Sequence, residues 1–343
     1  MDQSKPDPSK ILQIGMGFFA SKVLLSAVEL GVFETVAGGP ICLSQLRDRL
    51  GLHERGAADF FDSLVALGLL SREGDGTSAR YGNTADTAAF LVPASAGYIG
   101  GILKMANNRL YHFWGNLTEA LRTGLPQSEI KQSNGHDAFA ALYDDPRRLA
   151  EFLDAMAGVQ RGNFAVLAET FEFDRFTKIC DVGGASGALS IALAKRHPSL
   201  QCISYDLPAV TELARQKILD AGLSDRITAV SGNFLADGLP HAEVITMGNI
   251  LHDWGTSTKT LLIENAYGAL PFGGALIAIE NVIDDARRAN SGGLLMSLNM
   301  LIETPDGYDY TFAQFDDWCC SAGFRSTQSF PLTGAASAAI AWK

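Results

Sequence analysis

The second half of the chain alternates short β-rich runs with helical patterns, and this alternation restricts the fold more than any other feature. Strands that are separated by single helices form a parallel sheet through right-handed crossovers. The sequence therefore predicts a doubly wound α/β domain with a mostly parallel sheet. The β-rich runs lie at 179–182, 202–205, 227–230, 244–250 and 275–279, and the helical patterns lie at 189–196, 210–221 and 258–270.

The first hundred residues are helical in pattern and include a small β-wing. Two short helices are predicted at 43–50 and 57–70, and a turn at 73–76 opens a wing that closes at Tyr81. This is the outline of a winged helix. With further helices at 110–121 and 138–171, the predicted domains are a winged-helix-like domain over 1–105, connecting helices over 106–170 and the α/β domain over 171–343.

The charge of the chain disfavours nucleic acid as a partner. There are 27 Lys and Arg against 38 Asp and Glu, a net charge of -11, and such a surface repels phosphate. The candidate recognition helix is itself acidic, with Arg55 beside Glu54, Asp59 and Asp62. We therefore expect the apolar faces of this helical segment to pack against a second copy of the chain, as a homodimer.

Cysteine usage and the N-terminus indicate a cytoplasmic protein. The five cysteines form an odd set without C-x-x-C spacing, which suits neither a disulfide framework nor a zinc site. The first ten residues lead into no signal peptide, and the uncharged run 87–103, which no other run exceeds in length, is interrupted by Pro93 and three glycines. We expect no membrane partner and no metal.

A glycine loop follows the first strand of the α/β domain and opens its first helix. The segment reads Asp-Val-Gly-Gly-Ala-Ser-Gly over 181–187, and the dinucleotide spacing fails because Ala185 and Ala188 stand where glycines belong. Glycines at such a turn can also serve the bend alone. The next strand ends at Asp206, whose carboxylate can accept both ribose hydroxyls, so the pattern favours an adenosine without phosphates.

A His-Asp-Trp tripeptide ends the fourth strand at 252–254, on the same edge of the sheet. Histidine has the side-chain pKa that suits a base near neutral pH. A histidine at a strand end can equally be an ordinary surface residue. Its position beside the ligand loop favours the catalytic interpretation of His252.

The loop, Asp206, the Gly-Asn-Phe turn at 232–234 and the His-Asp-Trp tripeptide occur in a fixed order along the chain. This ordered set resembles the class I S-adenosylmethionine-dependent O-methyltransferases of the plant caffeate and bacterial antibiotic-pathway type. The resemblance covers nearly the whole chain and implies a Rossmann-like domain with an N-terminal winged-helix-like dimerisation domain. It also implies methyl transfer to a hydroxyl of a small aromatic or polyketide-like secondary metabolite, with no metal required.

The resemblance also implies roles for individual residues. His252 matches the general base, and Glu280 and Asp309 match the carboxylates that orient it. The implied cofactor contacts are Asp181, Gly183, Gly184 and Gly187 around the methionine part, Asp206 at the ribose, Leu207, Asn233 and Phe234 at the adenine, and Trp254 nearby.

The chain departs from the family pattern at two places. Asn233 replaces the usual aspartate at the adenine, which keeps an acceptor and loses a charge. Where the family reads Glu-Arg-Thr, this chain reads Asp309-Tyr310-Thr311, and Gln314 replaces a later glutamate. The sequence leaves open whether the shorter Asp309 reaches His252 and how the missing arginine changes local ion pairing.

The acceptor pocket is expected between the sheet edge and the helices of 138–171. Candidate lining residues are Met156, Met300, Asn249 and Thr304. Three alternatives to O-methylation remain open from the sequence: a family member that keeps the cofactor for non-methylating chemistry, an N-methyltransferase, and a ligand-sensing winged-helix regulator.

Overall fold

The computed structural model describes residues 6–131 and 146–343. The chain divides into two compact units, one ending at His112 and the other beginning at Phe113. The predicted helix over 138–171 begins outside the described residues, and its described part is the helix Pro146–Thr170.

The first unit consists of short helices and a small sheet. A three-stranded antiparallel sheet of β1 (Ile41–Cys42), β2 (Leu70–Glu73) and β3 (Arg80–Asn83), in the order β1-β3-β2, forms the wing. The helices are α1 (Ser9–Gly15), α2 (Gly17–Glu29), α3 (Val32–Thr35), α4 (Leu43–Leu50), α5 (Glu54–Ala66), α6 (Ala85–Phe90) and α7 (Gly100–Met105).

The helix predicted at 57–70 was wrong at its end. It stops at Ala66 because Gly68 takes a left-handed φ of 73°, and Leu70 already begins β2. Leu70 is buried in the core of this unit together with Phe33, Phe61 and Leu64. The turn at Gly68 therefore moves Leu70 from the end of a helix into the wing.

The N-terminal helices leave a large apolar surface uncovered within this unit. Helix α1 has no buried residue, and the exposed side chains are Ile11, Leu12, Ile14, Met16, Phe18 and Phe19. Among the described residues, Ser9–Glu29 is also the one helical stretch long and apolar enough to cross a membrane. That criterion rests on length and composition alone, and core helices of soluble proteins meet it as well.

The second unit contains a seven-stranded, mostly parallel sheet in the order β6-β5-β4-β7-β8-β10-β9. Strands β4 to β8 are parallel, and β10 is antiparallel to both β8 and β9. The predicted α/β fold is confirmed. The strands are β4 (Lys178–Val182), β5 (Gln201–Asp206), β6 (Ile227–Ser231), β7 (Val244–Gly248), β8 (Ala275–Glu280), β9 (Ser326–Pro331) and β10 (Ser337–Trp342).

Helices cover both faces of this sheet. The apolar cluster on one face includes residues of α10 (Pro146–Thr170), α11 (Ala188–Arg196) and α12 (Pro208–Asp220), and the cluster on the other includes α13 (Thr256–Ala269) and α15 (Phe312–Ala322). The remaining helices are α8 (Tyr111–Trp114), α9 (Leu117–Thr123) and α14 (Ser291–Glu303). This packing leaves the carboxyl ends of β4, β5, β7 and β8 to carry the candidate site.

The strand predicted at 244–250 was also too long. It ends at Gly248 because Asn249 has a φ of 53°, outside the extended region. The chain then turns sharply, which brings the His-Asp-Trp tripeptide over the end of the sheet.

Candidate active site

The glycine loop approaches neighbouring side chains closely at two of its glycines. Gly183 has a φ of 68°, and a Cβ there would lie 2.2 Å from Cδ1 of Ile250. A Cβ on Gly184 would lie 2.4 Å from Oγ of Ser204. Gly187, with a φ of 75°, precedes α11. The loop therefore combines turn geometry with close backbone packing, as a ligand-cradling loop requires.

Asp206 lies beside this loop and is held by backbone donors. Its Oδ2 accepts a hydrogen bond from the N–H of Ala185 at 2.9 Å, and its Oδ1 accepts one from the N–H of Leu207 at 2.7 Å. Each carboxylate oxygen keeps a second acceptor position. Burial raises the pKa of Asp206, and the two backbone donors oppose that rise. Leu207 packs with Leu153 of α10.

Asp181 is a second buried acid under the loop. Its Oδ1 accepts a hydrogen bond from the Thr246 hydroxyl at 2.7 Å. Burial raises the pKa of Asp181 to about 7, and the nearby charge of Asp206 adds to that rise. Two buried acids that repel each other favour a positively charged ligand.

The 232–234 turn contacts Trp254 through the ring of Phe234. The rings of Phe234 and Trp254 lie 6.3 Å apart, edge to face. The Nε1 of Trp254 is buried without a hydrogen-bond partner in the part of the chain that the structure describes. Asn233 is exposed, and its Oδ1 accepts a hydrogen bond from the N–H of Leu235 at 2.9 Å. One acceptor position of the Asn233 amide is thus occupied within the turn.

His252 lies in a 3₁₀ turn after β7 and is only 5 % exposed. Its Nδ1 is 3.3 Å from Oδ1 of Asp309, so the shorter acid does reach the imidazole. Its Nε2 is 3.5 Å from Oδ1 of Asp253. The ring is therefore held on one nitrogen by Asp309, and its other nitrogen lies next to a second carboxylate.

Glu280 holds the backbone of this turn. Its Oε1 accepts hydrogen bonds from the N–H groups of Ile250 and His252, both at 3.1 Å. As the last residue of β8, Glu280 fixes the turn to the sheet. Its contact is with the peptide of His252, whereas Asp309 contacts the ring.

The carboxylates around His252 change its acidity. Burial disfavours the imidazolium, but the carboxylates of Asp253, Asp309 and Glu280 outweigh burial and raise the pKa of His252 to about 10. Burial raises the pKa of Asp253 to about 7 and also raises that of Glu280. The imidazole therefore holds a proton near neutral pH. A cation bound near His252 would lower the pKa of its ring, so that the imidazole could lose the proton on Nε2.

The four candidate pocket residues have different surroundings. Met156 is half-buried on α10, and Met300 is buried on α14. Asn249 is half-buried at the end of β7. The Thr304 hydroxyl donates to the carbonyl of Met300 and accepts from the N–H of Gly307, so both of its hydrogen-bonding functions serve the turn after α14.

Two functional candidates were missed in the sequence. Asp253 was given no role, although its position next to His252 along the chain was a usable signal. Lys259 was overlooked because a lysine in the first turn of a helix is ordinarily exposed, yet here it is fully buried. Across residues 6–131 and 146–343, His, Cys, Asp and Glu form no group of three or more that could hold a metal ion.

Comparison with known proteins agrees with this geometry. A family model for an O-methyltransferase domain matches residues 114–325, and one for an O-methyltransferase dimerisation domain matches residues 12–93. The tetracenomycin polyketide synthesis 8-O-methyl transferase TcmO of Streptomyces glaucescens is 38% identical over 98% of this chain and 97% of its own length. The 3-hydroxy-5-methyl-1-naphthoate 3-O-methyltransferase of Streptomyces sahachiroi is 33% identical over 92% of this chain and 89% of its own.

A solved structure shares this fold. Human N-acetylserotonin methyltransferase, determined in complex with S-adenosylmethionine, superposes with a TM-score of 0.91 at 29% identity, over 100% of this chain and 99% of that chain. The predicted family and fold are confirmed. The chain belongs to the family of S-adenosylmethionine-dependent O-methyltransferases that carry an N-terminal dimerisation domain.

Proposed function

We propose that this enzyme methylates a hydroxyl group of a small aromatic, polyketide-like metabolite, with His252 as the general base. The observation that carries the proposal is the buried pair of His252 and Asp309, 3.3 Å apart, at the sheet edge that also bears the glycine loop. The relatives named for a polyketide and a naphthoate support the acceptor class.

The residues at the loop fit S-adenosylmethionine. Gly183, Gly184 and Gly187 would cradle its methionine part above the buried acid Asp181, and Asp206 has a free acceptor position on each oxygen for a ribose hydroxyl. The remaining proposed contacts are Leu207, Asn233, Phe234 and Trp254. When bound, the sulfonium supplies a methyl group that is already activated for transfer to oxygen.

His252 is proposed to accept the proton of the acceptor hydroxyl at Nε2. Asp309 faces Nδ1, so it fixes the tautomer that leaves Nε2 as the acceptor and stabilises the imidazolium that forms. Glu280 keeps the turn at the end of the sheet. Proton removal as the oxygen attacks is the chemistry that these side chains can provide.

We propose a different role for each of three consecutive segments of the chain. Residues 1–105 would form the homodimer through the apolar surface of α1 and α2, residues 106–170 would supply pocket helices, and residues 171–343 would bind the cofactor. Met156, Met300, Asn249 and Thr304 are the proposed pocket residues. All five cysteines are free thiols, which supports a cytoplasmic location.

Methyl-labelled cofactor and a panel of phenols and naphthols test this function. Label should pass to a hydroxyl with the wild-type enzyme, and His252→Ala should lower the rate by about 10²- to 10⁴-fold while cofactor affinity is kept. His241→Ala, an exposed histidine outside the site, is the matched control. Cofactor binding without transfer to any hydroxyl, or transfer to amines alone, would overturn the proposal.

A further inference from the structure

Lys259 is a charged side chain with no exposed surface. It lies in the first turn of α13, and burying an ammonium group is unfavourable unless hydrogen bonds and opposite charges compensate. Its Nζ donates hydrogen bonds to the carbonyl of Trp254 and, at 2.9 Å, to the carbonyl of Tyr308. The same Nζ lies 3.5 Å from the ring centroid of Tyr308. The buried ammonium of Lys259 is thus stabilised by two hydrogen bonds and one cation–π contact.

The two carbonyls belong to the two segments that build the candidate base. Trp254 follows His252 by two residues, and Tyr308 precedes Asp309. Their backbones also meet directly, because a Cβ on Gly307 would lie 2.6 Å from the carbonyl oxygen of Asp253. Lys259 therefore joins, with one ammonium group, two segments that lie far apart in the sequence.

Four carboxylates act on the charge of Lys259. Burial lowers the pKa of Lys259 to about 8, and the carboxylates of Glu280, Asp309, Asp306 and Asp253 oppose that decrease. The uncharged neighbours of its Nζ are the rings of Tyr308, Tyr310 and Trp318. The ammonium is a countercharge for the same carboxylates that surround His252.

The ring of Tyr310 lies 5.8 Å from Nζ of Lys259. Tyr310 follows Asp309 and Tyr308 precedes it. Lys259 therefore has a neighbour on each side of Asp309.

We propose that Lys259 is a positioning residue for methyl transfer, which holds the Asp309 segment against the His252 turn. The proposal rests on the proposed function, since it concerns the same base. Without the ammonium, the carbonyls of Trp254 and Tyr308 lose their donor, and His252 loses a neighbouring positive charge. The placement of the imidazole and the charge around its ring near neutral pH should therefore change.

Lys259→Met and Lys259→Arg in the full-length enzyme separate charge from packing. Lys259→Met should lower kcat by about 10²-fold with little change in KM, and Lys259→Arg should restore most of kcat. The control Lys195→Met, on an exposed face of α11, should behave as wild type. Thermal unfolding of each variant reports its folded fraction.

The NMR resonances of the His252 ring near pH 7 give a readout that does not depend on activity. At this pH the side chains of Lys259 and His252 both carry their protons, because their pKa values are about 8 and about 10. Loss of the ammonium in Lys259→Met should move the ring resonances of His252, with Lys259→Arg near wild type. Unchanged ring resonances in folded Lys259→Met, or equal loss of kcat in both variants, overturn the role of Lys259. Failure of the wild-type enzyme to methylate any hydroxyl instead overturns the proposed function, and the His252 resonances then decide the role of Lys259 by themselves.

Discussion

His252 Nδ1 lies 3.3 Å from Asp309 Oδ1, and both side chains are almost completely buried, at 5 % and 1 % exposure. A carboxylate in this position selects the imidazole tautomer with hydrogen on Nδ1. The carboxylate of Asp309 is therefore long enough to orient the imidazole of His252.

Asp309→Asn should lower kcat by about 10²-fold, because an amide can donate to Nδ1 and stabilise the wrong tautomer. Steady-state kinetics with a phenolic acceptor measure the effect. Asp225→Asn, in an exposed position of the same unit, should change nothing. Full activity of Asp309→Asn would remove Asp309 from the mechanism.

Asp253→Asn should move the pH profile of the enzyme to lower pH. Of the carboxylates that raise the pKa of His252 to about 10, Asp253 has the largest effect. Removing its charge should therefore lower the pKa of His252. Because the base must be deprotonated to act, the acidic limb of kcat/KM should shift downward by on the order of one pH unit. An unchanged limb would show that His252 does not control it.

Asp181→Asn should stabilise the protein increasingly as the pH rises. The pKa of Asp181 is about 7 in the folded chain, against an ordinary value of 3.8, so its ionisation weakens folding between about pH 4 and pH 7. The difference in Tm between variant and wild type should grow across that range and level off above it. The same variant should bind the cationic cofactor more weakly, and a pH-independent Tm difference would contradict the burial argument.

Gly183→Ala and Gly222→Ala separate close packing from backbone strain. Both glycines have a φ of 68°, but a Cβ at Gly222 would meet no atom within 4 Å, whereas one at Gly183 would lie 2.2 Å from Ile250. Both variants should lose about 1 kcal/mol from strain, and Gly183→Ala should lose about 1 kcal/mol more, because the end of the Ile250 side chain must move away. Thermal unfolding and calorimetry of cofactor binding check this, and equal losses would contradict the steric argument.

Phe18→Glu combined with Phe19→Glu should convert a dimer into a monomer. These rings are 50 % and 56 % exposed, within the region matched by the dimerisation domain. Light scattering at micromolar concentration measures the mass. Phe272→Glu, at a ring that is 86 % exposed elsewhere, is the matched control and should keep the wild-type mass. A monomeric wild type would contradict the proposed homodimer.

The parallel core of the sheet was predictable, and its antiparallel edge was not. Buried strands such as β7 and β8 are largely apolar runs bounded by helices, which is the pattern of a parallel sheet. Strand β9 is polar and partly exposed, and β10 begins with serine and two alanines, which have weak β-propensity. Their pairing depends on contacts distant in sequence, which local patterns do not encode.

The same distinction applies to the site. The glycine loop, Asp206 and His252 follow strand ends and could be predicted from order along the chain. The contact of Asp309 depends on how closely the turn at Gly307 approaches Asp253, and the burial of Lys259 depends on three separate elements. Neither the contact of Asp309 nor the burial of Lys259 can be predicted from the residues adjacent to it in the sequence.

The two hydrogen bonds from Ile250 and His252 to Glu280 anchor the candidate base to a central strand of the sheet. The proposed pocket residues Met156 and Met300 lie on separate helices, α10 and α14. Under the proposed function, we expect substitutions at these two methionines to alter acceptor choice while the hydrogen bonds to Glu280 keep the His252 turn in place. Such a separation would suit directed evolution, because different side chains would govern acceptor selectivity and proton removal.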